Sequence, residues 1–230
     1  MKSKSLKKVS LSDANLLLTI TIVVFFLMYI GAMIFEGGGF LKPQTFFNIL
    51  NANGALIITA CGLSLVMITG SIDISVGGVV ALVSMCCAVY LDFKGGNVFV
   101  SLLIALAIGL GFGLVQGFLV AYLDIQPFIV TLAGMFFGRG MTSIISTDMI
   151  SIKNATFMAW AKYKIYMPFG SYSKRGKFLP AYIYPTVIIA IIVLIVIIIV
   201  MKYTKFGRSV YAIGGNEQSA LMMGLNVKRT

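Results

Sequence analysis

The chain has 230 residues, of which 59% are hydrophobic and only 11% charged, whereas an ordinary soluble domain carries about 25% charged residues. With a mean hydropathy of +1.00, it has too little polar surface to face water on every side, which excludes a soluble globular protein and requires lipid over much of the exterior. The net charge of +11 does not point to nucleic acid, because the Lys and Arg residues gather at the N-terminus, in one long loop and near the C-terminus, with no basic stripe along a polar helix.

A bilayer core of about 30 Å requires about 20 residues of helix. Residues 14–35 have that length and follow Lys2, Lys4, Lys7 and Lys8, which favour a cytoplasmic N-terminus. No A-x-A-like cleavage site follows, so this segment reads as a retained helix and not a signal peptide. Residues 46–69 form a second span. The stretch 70–78, GSIDISVGG, interrupts it, and a short apolar run, 79–91, comes next. A polar turn at 92–97 leads to long apolar blocks at 98–123 and 128–145. Residues 146–180 are mixed and polar, 181–202 are the most apolar, and 203–230 are polar again. The expected fold class is all-α: a polytopic transmembrane helix bundle of about six spans with a broken segment near residues 70–78. With the N-terminus inside, the turn at 92–97 and the loop 146–180 fall outside. The tail from Tyr203 falls inside, with Lys202, Lys205, Arg208, Lys228 and Arg229. The outer loop opposes this with Lys153, Lys162, Lys164, Lys174, Arg175 and Lys177, but long loops follow the positive-inside tendency less closely than termini do.

Small residues recur at helical spacing. Gly109, Gly113 and Gly117 share one face of a span, and Gly134 and Gly138 share a face of the next. In lipid, small residues let helix backbones approach closely, so helix packing is the expected role. Cys61, Cys86 and Cys87 lie in apolar runs and read as small buried hydrophobes. The chain has no histidine, which removes the commonest general base and metal ligand. No metal site and no cofactor is expected.

Four polar features remain. In GSIDIS, residues 70–75, an unwound stretch between apolar segments survives only where protein or a water-filled cavity surrounds it. Ser71, Asp73 and Ser75 are candidates for a substrate path, as in the broken helices of transporters. The simpler reading is that Asp73 or Ser75 caps the next helix, and both can hold. In the tail, Gly214 and Gly215 mark a turn, Asn216 is a good N-cap, Glu217 suits a helix start, and Gly224 ends a short helix. That helix is too short to span and suits docking a partner or lying on the membrane surface. In the outer loop, Phe157, Trp160, Tyr163, Tyr166, Phe169 and Tyr172 read first as an interfacial aromatic belt and second as a docking surface, and Asn154 is a plausible cap for a helix there. Pro127, after Asp124, Ile125 and Gln126, suits a helix's first turn, and Arg139 suits a snorkelling anchor.

GSIDISVGG, QPFIVTLAGMFFGRG and FGRSVYAIGGNEQSALMMGLNV occur in this order. Together they resemble the membrane permeases of bacterial ABC importers for simple sugars, of the ribose and galactofuranose type. The resemblance implies one permease domain over residues 1–230, with 203–230 as a cytoplasmic coupling segment. It implies a second permease subunit, identical or different, a cytoplasmic ATP-binding subunit and an extracytoplasmic sugar-binding protein. The location it implies is the bacterial cytoplasmic membrane. It places Gly214, Gly215, Asn216, Glu217 and Gly224 in the element that contacts the ATPase, and Asp73 near the translocation path. Family members run on through several more spans, so the resemblance also implies that this chain is incomplete relative to the family. No G-x-x-x-x-G-K-[ST] motif is present, so ATP hydrolysis is expected of a partner and the chain is not expected to be an enzyme. An ion-driven secondary transporter is the alternative, but Asp73 is its one candidate for a buried carboxylate. A membrane-embedded enzyme would need paired acids or an activated nucleophile.

Overall fold

A computed structural model describes residues 13–36, 42–172 and 178–230. The lysines at positions 2, 4, 7 and 8, and Lys174, Arg175 and Lys177, lie outside them. Five helices are long and apolar enough to cross a membrane. They are α1 (Asp13–Glu36), α2 (Pro43–Ile68), α4 (Val98–Leu123), α5 (Pro127–Ile145) and α7 (Pro185–Tyr203). Between α2 and α4 lies α3 (Val76–Asp92), apolar but with 17 residues. These six apolar helices make a multi-pass membrane protein. The side chains they leave exposed, such as Phe25, Leu110, Phe137 and Ile192, are those that lipid solvates.

The helix boundaries follow local chemistry. Asn97 starts α4 by accepting the Phe99 N–H at 2.8 Å. Asp124 ends it in the left-handed region, φ 53°, a conformation that Asp tolerates better than most residues. Pro127 opens α5, as expected. Two boundaries differ from the sequence expectation. The break is narrower than residues 70–78, because Val76, Gly77 and Gly78 already belong to α3. The last span starts at Pro185, because the residues before it form a strand.

The chain divides into two compact units, Met1–Leu50 with Tyr166–Ile183, and Asn51–Ile165 with Tyr184–Thr230. In the first, a hairpin of β1 (Ile165–Tyr172) and β2 (Phe178–Ile183) adds a two-stranded sheet that the all-α reading lacked. Gly170 permits the strands to meet, since a Cβ there would collide with the Leu179 carbonyl. Tyr172 and Phe178 pack edge to face at 5.4 Å. Gln44 accepts the Tyr182 N–H at 2.8 Å, and Phe47 lies 5.7 Å from Phe169.

In the second unit, α3 packs against α4 and α5. The crossing of α3 with α5 runs over glycines. A Cβ on Gly78 would sit 2.9 Å from Met135 Cα, and one on Gly138 would sit 2.8 Å from the Gly78 carbonyl carbon. Gly109, Gly113 and Gly117 are different. A Cβ on any of them would meet nothing within 4 Å, so the expected packing partner for that face of α4 is not found among the described residues.

Contacts in this unit sort the helix ends onto two faces. On one, the Asp92 carboxylate at the end of α3 accepts the N–H groups of Lys153 (2.8 and 2.9 Å) and Asn154 (3.0 Å). Asn154 also donates to the carbonyls of Leu91 and Gly96, and it caps α6 (Ala155–Ala161) at Phe157. On the other face, Lys228 lies 3.5 Å from Asp124 after α4, and the helix after α7 meets the end of α2. These pairings are those of strict up-and-down threading.

Candidate functional site: the broken segment and the tail helices

Helix α2 closes with Gly70 at φ +83°. The Gly70 N–H bonds the Met67 carbonyl at 3.0 Å, and the Ser71 N–H bonds the Val66 carbonyl at 3.3 Å. This pair of bonds satisfies carbonyls that a helix end otherwise leaves free. Residues 71–74 are irregular. Asp73 then prepares α3: its Oδ1 accepts the Ser75 N–H at 2.8 Å and the Ser75 hydroxyl at 2.7 Å. Of the expected candidates, Asp73 is therefore the capping group. Ser75 is 2% exposed and its side chain does not cap, while Ser71 is half-buried.

Two residues that sequence reasoning passed over complete the site. Thr131 on α5, 6% exposed, donates to the Ile72 carbonyl at 3.2 Å. Gln116 on α4 brings its Oε1 to 3.2 Å from Ser75 Oγ. One hydroxyl proton cannot serve both Asp73 and Gln116. With the proton on Asp73, Ser75 Oγ is left as an acceptor. The Gln116 Nε2, buried and unpartnered among the described residues, is the donor that completes the set when the amide turns over. Gly134 makes the room, since a Cβ there would collide with Nε2. Glycine at 134 thus leaves space for a polar side chain, and Gly138 for a backbone. Gln116 sits about 10 Å from the end of α4 at 1.5 Å per residue, on the side of the tail. A signal for Gln116 existed in the sequence, since a lone amide in an apolar span is costly unless it is paired.

The tail contains two α-helices, followed by a 3₁₀ turn at Val227–Arg229, where one helix was expected. Helix α8 (Lys205–Gly215) is capped by Thr204 Oγ1, which accepts the Gly207 N–H at 3.2 Å. Gly207 allows α8 to fold onto the end of α7, because a Cβ there would strike the Met201 backbone. Gly214 and Gly215 end this helix and form no turn, and neither has positive φ. Gly214 is required for close approach: its Cβ would collide with the Ile68 carbonyl oxygen and lie 2.9 Å from the carbonyl carbon. Gly215 faces open space. Asn216 caps α9 (Glu217–Met222), accepting the Ser219 N–H at 2.8 Å, and Glu217 stands in its first turn. Gly224, φ +79°, ends α9 through its own N–H to Leu221 (2.9 Å) and the Leu225 N–H to Ala220 (3.1 Å). The tail therefore touches the chain one residue before the break, at Ile68 and Thr69.

Residues 45–230 match the family described as the permease component of the branched-chain amino acid transport system. The chain belongs to this permease family. It is 35% identical to a fructose import permease protein of Bifidobacterium longum, covering 100% of this chain and 66% of the relative. It is 34% identical to an inner membrane ABC transporter permease protein of Escherichia coli, over 94% of this chain and 62% of the relative. It is 36% identical to a galactofuranose transporter permease protein of Escherichia coli, over 79% and 49%. The chain thus spans no more than about two thirds of the length of these relatives. No solved structure matches it. The ribose-type resemblance read from the three motifs agrees with these relatives. Within the permease, the matched region takes in the break, Gln116, Thr131 and both tail helices.

Proposed function

We propose that this chain is a transmembrane permease subunit of an ATP-binding-cassette importer for a simple sugar, resident in the bacterial inner membrane. The relatives' names supply the substrate class and the transporter type. The observation that carries the mechanism is the seat of Gly214 on Ile68. A cytoplasmic ATPase that grips α9 and the end of α8 moves a lever whose other contact is the residue beside the break. Such a movement reaches Gly70–Ser75 directly, and Asp73, Ser75, Gln116 and Thr131 hold that segment in one arrangement until it arrives. In this reading Ser71 faces the sugar path, and Asp73 and Ser75 shape it through their bonding to each other and to α4. A second permease completes the path, and a sugar-binding protein delivers the substrate from outside. The ATPase is a separate subunit, and this chain carries no hydrolytic step. An ion-driven carrier is disfavoured because Asp73, its one candidate, already gives an oxygen to Ser75.

The test uses the permease assembled with its ATPase and binding protein in vesicles. Gly214→Val should leave insertion intact but abolish the stimulation of ATP hydrolysis by sugar-loaded binding protein. Gly215→Ala, in open space, should retain it. Full stimulation in the Gly214→Val assembly would overturn the lever.

A further inference from the structure

A second site lies beside α8, in the same compact unit. There α2, α7 and α8 enclose a groove of about 670 Å³. Cys61, Ser64 and Ile68 line it at helical spacing along α2, and Leu194 and Ile198 do so along α7. That wall runs about 10 Å along α2 at 1.5 Å per residue. One end is different: Lys202, Arg208 and Tyr211 gather there. Gly207 lets α8 pack against the end of α7, because a Cβ there would strike the Met201 backbone, and Arg208 and Tyr211 on that helix line the groove.

The charges at that end are unbalanced. Among the described residues the one ion pair is Lys228 with Asp124, so no carboxylate pairs with Lys202 or Arg208. Lys202 lies over the Tyr203 ring at 5.4 Å, a contact that leaves its charge unneutralised. The groove therefore joins an apolar wall, in the part of the chain solvated by lipid, to a doubly cationic mouth at the membrane boundary. We infer that this groove is a binding site for one anionic phospholipid, with an acyl chain along α2 and α7 and its phosphate between Lys202 and Arg208. Basic pockets between membrane helices at the cytoplasmic side favour anionic headgroups. A soluble anion fits less well, because it offers nothing to the apolar wall. This inference is independent of the coupling role proposed above. Failure of either leaves the other standing.

The test places a reporter in the mouth. In a Trp160→Phe background, Tyr211→Trp introduces a single indole there. The full chain is reconstituted in phosphatidylcholine vesicles with a minor fraction of brominated phosphatidylglycerol or of brominated phosphatidylcholine. Each cation near the surface favours an anionic lipid about fivefold, so the brominated phosphatidylglycerol should quench with an apparent affinity at least about tenfold higher. Lys202→Gln with Arg208→Gln should remove that preference, and Lys202→Arg with Arg208→Lys should keep it. Equal quenching by the two lipids would overturn the inference. So would absence of quenching by either, which would mean that protein fills the groove, and so would relief of quenching by inorganic phosphate, which would make the free anion the ligand. If the charge-removing pair fails to fold, the comparison of the two lipids and the charge-keeping pair still decide the matter.

Discussion

The break between α2 and α3 frees the Ile72 carbonyl inside a membrane protein, where water is scarce. Thr131 Oγ1 meets it at 3.2 Å while also lying 3.3 Å from its own helix's Phe128 carbonyl. Thr131→Val keeps the shape and removes the donor, so it should destabilise the protein by about 1–3 kcal/mol. Thr131→Ser should recover most of that loss. Thermal unfolding in detergent compares the two, and equal midpoints would count against the bond. The sequence showed that the break needed polar partners, and Asp73 was legible as one because it stands in the polar stretch just before the next apolar helix. Gln116 stood out as the one amide in its apolar helix, but its partner did not, and Thr131 did not stand out at all, because α5 also carries Thr142 and Ser143 and which element each faces depends on the α3–α5 crossing at Gly78 and Gly138. Gly134 and Gly138 had the same spacing as Gly109 and Gly113, and spacing alone could not tell a packed pair from an exposed one.

At the scale of elements, capping residues were the most readable. Asn154 and Asn216 each stood before a short helix, and each caps it. The hairpin was not readable: Pro168 and Pro180 argue against strands, yet a two-stranded ribbon leaves each strand an open edge where a missing N–H costs nothing. Helix α9 has 6 residues, too few to be stable alone, so its caps decide whether it forms. Asn216→Ala should cost about 1 kcal/mol locally, and hydrogen exchange at the Ser219 amide should rise about fivefold with little change in α7. Gly224→Ala forces a side chain into the left-handed region and should cost a further 1–2 kcal/mol, roughly. Unaltered exchange across α9 in both variants would show that something other than its caps holds it.

The whole molecule is a threading problem, and its internal contacts solve the relative half of it. Asp92 joins the end of α3 to the loop before α6, so those two segments share a face. Asp124 joins the α4–α5 turn to the tail at Lys228, and Gly214 joins the tail to the end of α2, so these three share the opposite face. Lys202, Lys205 and Arg208 then choose which face is cytoplasmic by the positive-inside tendency. Met149 is 99% exposed in the loop before α6 and Met222 is 88% exposed at the end of α9. In a background with Cys61, Cys86 and Cys87 replaced by Ala, Met149→Cys should react with a membrane-impermeant maleimide on intact cells. Met222→Cys should react only after the membrane is opened. The reverse pattern would keep the fold and invert its orientation, moving the groove at Arg208 and the contact at Gly214 to the outside, and would overturn the proposed coupling to a cytoplasmic ATPase. Labelling of both on intact cells would be more damaging. It would put the tail and the outer loop on one side, require an odd number of crossings between residues 149 and 222 to become even, and so remove α7 as a span.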